Sequence, residues 1–470
     1  MIRAAIVSLV MAAASVSLAA EEVSVGFGKA DITPKVGGAA KAVWIAGYGM
    51  GRAAIGVHDT LFVRALVFKS GGKKIAMAVA DLVGLQYPVI LKIREKLSDF
   101  DYVMVSSTHV HEGPDVVGLW GEKPLKSGVD PEYLDLVVEK SVEAIKAAEA
   151  AAVPVSATYG TVVDEDLLRD SRKPYFKDGI IRVVLFKDVK GKNSSILLQQ
   201  NSHPESLTDK NQYLTTDFLY FTIKALEEKY QCPVAAFSGA VGGLMTVPNR
   251  IKSDDGKEIN DGNFEYAEVY GNRLAKRASE AIESAKPIAI SPINAAAQSC
   301  YVPIDNKVFK FAFRSGAMVR NAYIWNDDPW SAEIKPFESK GNISTMRGAL
   351  KTEVGYIKIG DIHVAAIPGE AYPESIYGKF QEPVEPNADF PTAPLETPVV
   401  KALPGEKILV IGLANDEIGY IIPKRQWDFV PPFAYGMTKC QYGEINSVGP
   451  ESAPIVYGSL EKAVKKASGK

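Results

Sequence analysis

The sequence predicts an α/β fold of mixed β-sheets with flanking helices. Apolar runs of strand length alternate along the chain with stretches of helical spacing. Several of the runs end in polar residues able to do chemistry: Asp81, the pair His109 and His111, His203, Glu370, and the loop 415–420. In folds of this class, sites gather outside the carboxyl ends of strands.

Taken in order, residues 23–27 alternate as a first strand, and 28–34 read as a loop. The glycine-rich segment 47–51 lacks the ending of a phosphate cradle, so it reads as a close-packed turn that could line a site. Residues 61–68 and 74–80 are strands, the second followed by Asp81. Residues 88–97 have helical spacing, and 103–105 form a buried strand, which makes a strand–helix–strand unit. Residues 132–151 are an amphipathic helix with alanine at its packing positions. Runs 180–186 and 194–199 pair as strands across a turn-rich connection. Residues 217–229 are helical, 232–237 a strand, and 264–285 a long helix. Residues 287–303 are extended, and 307–340 give no clear signal. Residues 356–367 form strands around a turn at Gly360-Asp361, 407–413 a buried strand, and 460–466 a short terminal helix. The proline-rich stretch 380–404 reads as a surface loop.

The 470 residues carry a formal charge of -3, which offers no basic field for nucleic acid. Residues 1–20 have a charged start at Arg3, an apolar centre and a small-x-small ending at Ser17-Leu18-Ala19. That is the pattern of a cleaved signal peptide, so the expected location is secreted or periplasmic. No later stretch is long and apolar enough to span a bilayer. Cys232, Cys300 and Cys440 allow one disulfide but imply no framework, and they fit better as small buried hydrophobes.

The strongest chemical signal is Thr108-His109-Val110-His111. Only five histidines occur, and two fall within three residues at a strand end. Residues two apart in extended chain face the same way, so both imidazoles can address one point. Imidazole is the commonest metal ligand, although a hydrogen-bonded pair at a loop entrance fits the same spacing. His203 also sits just past an apolar run. Glu370 follows Pro368-Gly369 and could join a zinc set or simply sit as an acid at a helix start.

The motifs Gly28-x-x-Asp31-Ile32-Thr33-Pro34, Gly47-Tyr48, Gly56-Val57-His58-Asp59, Thr108-His109-Val110-His111, His203-Pro204, Pro368-Gly369-Glu370 and Gly419-Tyr420-Ile421 occur in the order found in the neutral/alkaline ceramidase family. The mature chain resembles the catalytic N-terminal domain of that family along nearly its whole length. The resemblance implies a single secreted zinc amidase domain over residues 21–470, without the family's C-terminal immunoglobulin-like domain. By position it implies His109, His203, Glu370 and Tyr420 as zinc ligands, with His111 beside the reacting group. It further implies Arg172 and Tyr442 as substrate-contacting residues, although Arg169 lies three positions from Arg172. The chain departs from the family in one loop. Where ceramidases have a Gly-Asp-Val-Ser-Pro sequence with a catalytic serine, Gly243 and Met245 stand here in place of the aspartate and the serine.

These readings predict a zinc-dependent hydrolase that uses a metal-activated water. His111 would be the acid/base, and Arg172 or Tyr442 would steady an oxyanion. The substrate would be a small molecule, glycan or lipid-like amide. A glycoside or ester is an alternative, and so is an inactive homologue that only binds its ligand. No Gly-x-Ser-x-Gly elbow supports a serine hydrolase.

Overall fold

The computed structural model describes residues 22–318, 320–338 and 346–469. The segment read as a signal peptide lies outside them. Two sheets stack face to face. The larger has nine strands, with Val234–Ser238 at one edge followed by Asn193–Gln200, Ile180–Asp188, Val153–Val163, Ser24–Asp31, Phe62–Ser70, Lys73–Ala80 and Tyr102–Ser107, while Lys286–Ile288 pairs alongside Val153–Val163. The smaller has five strands, with Ile293–Pro303, Gly348–Ile359, Ile362–Ala366 and Lys407–Ile411 in that order, while Tyr323–Ile324 pairs alongside Gly348–Ile359. Most pairs are antiparallel. Three are parallel: Lys73–Ala80 with Tyr102–Ser107, Asn193–Gln200 with Val234–Ser238, and Ile362–Ala366 with Lys407–Ile411.

The inner faces supply alternate residues to one core. Val25, Leu66, Met77 and Phe237 come from the first sheet, and Ile357, Val364 and Leu409 from the second. Outside the first sheet lie the helices Tyr87–Glu95 and Pro131–Ala150 on one part and Phe218–Tyr230 and Phe264–Glu283 on another. Outside the second sheet lies Ser452–Ala467. Helix Pro131–Ala150 begins where Asp130 accepts from the Glu132 amide and proline occupies the first turn, where no intrahelical donor is needed.

The strand–helix–strand unit and the 180–200 hairpin form as the sequence predicts. Four readings change. The first strand continues through Asp31 instead of looping at Gly28, because residues 28–31 pair with Phe62–Ala65 of the neighbouring strand. Val153–Val163 is a strand the apolar pattern did not mark. Its serine, threonines and glycine dilute the signal, and its neighbours on both sides supply the pairing. The weak region 307–340 contains the helix Lys307–Ser315; residues 339–340 lie outside the described set. The terminal helix starts eight residues early, at Ser452, with Pro454 tolerated in its first turn. Cys232 and Cys300 are buried and unpaired, and Cys440 is half-buried and also unpaired.

Buried charge ties the 415–420 loop to this frame. Arg320 grips Asp416 with two nitrogens at 2.8 and 2.9 Å, and Asp416 also accepts from the Tyr87 amide. Both side chains are essentially inaccessible. Arg320→Met would leave the aspartate buried without its cation, so a loss of roughly 3–5 kcal/mol in unfolding free energy is expected in a denaturant titration.

Candidate metal centre and active site

The first sheet coils until its two edge strands approach each other. Ser238, at the end of one, donates its hydroxyl to the Thr108 carbonyl just past the other, at 2.7 Å. The second sheet closes the third side: Gly412 N–H bonds to Ser238 O, and Asn415 N–H to Val105 O. The carboxyl ends of strands distant in sequence thereby meet, and the candidate site residues stand there.

His109 sits in the left-handed region at φ 65°, unusual for a residue with a side chain. Such strain persists only where the surroundings impose it. Its Nδ1–H donates to the Val83 carbonyl at 2.6 Å, which leaves Nε2 as the free lone pair. His203 is fixed the same way, with Nδ1–H donating to the Met245 carbonyl at 2.5 Å. A backbone carbonyl behind each imidazole sets the tautomer suited to a metal ligand. Glu370 faces both rings, with Oε2 3.0 Å from His203 Nε2 and Oε1 3.6 Å from His109 Nε2. Tyr420 is buried beside Glu370, its strand pairing in parallel with that of the glutamate.

His111 completes the group. Its Nε2 lies 3.5 Å from His109 Nε2. The three imidazoles of His109, His111 and His203 present ligand atoms all within 4.8 Å of one another. These three buried histidines could hold a metal ion. The electrostatics fit a cation. Burial and the neighbouring imidazoles hold His109 well below the ordinary histidine value, so it is a neutral donor. Burial acts against a charge on His203, yet the Glu370 hydrogen bond and charge prevail and push it up to about 9. The buried carboxylate therefore asks for a positive charge at this point, which a proton or a metal can supply.

Behind His111 stands Glu205, which the sequence reading passed over. Its Oε2 lies 3.1 Å from His111 Nδ1. Tyr48 donates its hydroxyl to the Glu205 carbonyl at 2.9 Å, and the Tyr48 ring meets His111 edge to face. Burial raises the Glu205 carboxyl, but the hydrogen bond and charge of His111 outweigh it and hold the group well below the usual carboxylate range. The signal available in the sequence was its place two residues after His203, inside the same strand-end loop.

The glycine-rich turn does line the site. Gly47 has φ 97°, and a side chain there would begin 2.3 Å from the His111 ring. Gly47→Ala is expected to cost roughly 2–5 kcal/mol, the sum of overpacking and a left-handed backbone with a Cβ. It should also shift His111, so thermal melting and turnover should fall together.

A recess of about 100 Å³ opens beside the cluster, with His109, His111, Glu370 and Tyr420 on one wall and apolar residues such as Val117, Trp120, Phe309 and Met318 on the other. Tyr442 is 54% exposed at its mouth. Arg172 is placed otherwise. Its guanidinium is buried and committed to Glu444, the Gln426 carbonyl and the Lys173 carbonyl, beneath the Tyr372 ring. Arg169 instead bonds the Val247 carbonyl and Ser171. Glu417 also lines the recess, with Oε2 unpartnered, and was not singled out from sequence. In the loop that departs from the family, the Met245 carbonyl anchors His203, and the Ser238 hydroxyl is taken by Thr108. Thr246 is buried against Glu205.

Comparison with known proteins agrees with this architecture. Residues 23–244 match the family model of neutral/alkaline non-lysosomal ceramidase, N-terminal. The fold is similar to a crystal structure of neutral ceramidase from Pseudomonas aeruginosa, with TM-score 0.70 and 18% identity over 95% of this chain and 75% of that one. It is also similar to a ceramidase complexed with C2, with TM-score 0.68 and 17% identity over 95% of this chain and 76% of the other. Residues 23–244 thus belong by sequence to the neutral/alkaline non-lysosomal ceramidase family, and nearly the whole chain shares the fold of neutral ceramidase.

Proposed function

We propose that this chain is a secreted, zinc-dependent hydrolase that cleaves an amide, such as an N-acyl group, with water as the nucleophile. One observation carries the reading. His109, His203 and Glu370 come from three distant segments and turn their donor atoms to one buried point on the wall of an apolar recess. That donor set suits zinc, with Tyr420 as the fourth candidate ligand. When bound, zinc supplies a Lewis acid that polarises the scissile carbonyl and lowers the pKa of water to about 7.

The chain's own groups divide the remaining work. The Glu205 carboxylate, 3.1 Å from Nδ1 of His111, favours the tautomer with its proton on that nitrogen and leaves Nε2 as the acceptor. His111 Nε2 then takes the proton of the attacking water and returns it to the leaving amine. Tyr442, at the mouth, is the group free to donate to a developing oxyanion. Arg172 is already spent on Glu444, so its role is to hold the 441–444 segment that carries Tyr442. A water nucleophile also suits a loop with Gly243 and Met245 where the family has aspartate and serine.

The test is a panel of N-acyl amines, esters and glycosides, assayed with and without a chelator. Amide turnover that a chelator abolishes and added zinc restores is the expected result. Turnover confined to esters or glycosides would reassign the substrate, and no turnover by metal-loaded protein on any class would sink the hydrolase reading.

A further inference from the structure

The mouth of the recess carries a second feature, unrelated to the metal cluster. Helix Lys307–Ser315 reads Lys-Val-Phe-Lys-Phe-Ala-Phe-Arg-Ser. Its inner face, Phe309, Ala312 and Phe313, is buried in the core of the smaller sheet. Its outer face presents Val308 at 55% exposure and Phe311 at 50%. Residues 308 and 311 are one helical turn apart and share a face. Lys307, Lys310 and Arg314 flank them, and the helix has no acidic residue.

The opposite lip repeats the pattern. Leu119 and Trp120 line the recess, and the loop they begin continues to Lys123, Leu125 and Lys126, with Leu125 52% exposed. The two lips touch, since Gly118 leaves no room for a side chain against the Ala317 carbonyl, just beyond the helix. Ile445, also a lining residue, is exposed between them and Tyr442. Lys126 is paired with Glu122, but among the described residues no carboxylate pairs with Lys123, Lys307, Lys310 or Arg314. A protein of net charge -3 thus concentrates unneutralised cations around exposed apolar side chains at the entrance of an apolar-lined recess.

We propose that this rim is a docking surface for an anionic lipid bilayer. Apolar side chains projecting between basic ones are the chemistry of a helix that lies in a membrane interface, the rings and branched chains entering the acyl boundary while the cations meet lipid phosphates. The charge sign selects anionic lipid, since each basic residue near such a surface strengthens binding about fivefold. The helix is too short to enter deeply, so the contact is shallow and reversible. Docking in this pose sets the recess against the lipid surface. The inference does not rest on the chemistry proposed for the metal cluster.

The test is co-sedimentation of the purified chain with vesicles of phosphatidylcholine alone and with about 30 mol% phosphatidylglycerol added. Binding to the anionic vesicles only, weakened at about 0.5 M salt, is expected. Lys307→Ala with Arg314→Ala should lower the partition coefficient roughly 25-fold, two charges at about fivefold each. Lys307→Arg with Lys310→Arg should leave it unchanged, which separates charge from a folding defect. Phe311→Ser should weaken binding at high salt as well as low. Equal binding to both vesicle types, or none to either, would overturn the proposal. So would a dimer in sedimentation that Phe311→Ser dissolves, because the surface would then belong to a second copy. The readout needs no turnover, so a chain that binds vesicles but cleaves nothing sinks only the hydrolase reading.

Discussion

His203→Ala is expected to strip the metal and the activity together. Elemental analysis should fall from about one zinc per chain to near none, and hydrolysis should fall roughly 10³-fold or more. Metal polarisation of a carbonyl is worth several kcal/mol, and each 1.36 kcal/mol is tenfold in rate. His203 is chosen because it is fully buried, has its tautomer set by the Met245 carbonyl, and lies 3.0 Å from Glu370. Glu370→Ala should do the same from the other side of the contact. His363→Ala is the control. That imidazole bonds the Tyr356 hydroxyl, away from the cluster, so metal content should not change. Full metal retention in His203→Ala and Glu370→Ala would mean that this cluster is not the metal site, and the proposed mechanism would fail with it.

His111→Asn should separate chemistry from metal binding. A positioned acid/base contributes about 10²- to 10⁴-fold, so turnover should fall by that factor while zinc stays near one per chain. Glu205→Gln should cost less, roughly 10- to 100-fold, because it removes only the group that orients the imidazole. Its amide can still meet Nδ1, but with the wrong charge and without control of the tautomer. The two effects should not add in the double variant, since both act through one proton path. If His111→Asn loses its zinc, His111 is a third imidazole ligand and not the acid/base. The 4.8 Å grouping of the three histidines makes that outcome measurable by the same elemental analysis.

What could be read from the sequence follows from local rules. Apolar runs marked the strands that carry the site, and amphipathic spacing with alanine at the packing positions marked the long helix Pro131–Ala150. Two histidines at i and i+2 past a strand end announced a shared site, but the two-residue repeat of extended chain is not the reason they meet: His109 sits at φ 65°, so the fold around it turns the imidazole inward. The glycine turn at Gly47 announced a close approach. The strand Val153–Val163 and the start of helix Ser452–Ala467 were not legible, because their signals come from partners: neighbouring strands in one case, the smaller sheet in the other.

The site divides along the same line. The sequence by itself determined the donor types, their places just past strands, and the tautomer-neutral chemistry they can offer. Only the tertiary structure decided that His109, His203 and Glu370 face one point. That depends on how far the first sheet coils and how the second sheet closes against its edges, a sum of small twists that no local spacing records. The same packing recruited Glu205 behind His111 and locked Arg172 onto Glu444. In each case a buried charge must find its partner where the fold happens to bring one, and sequence distance carries no information about that meeting.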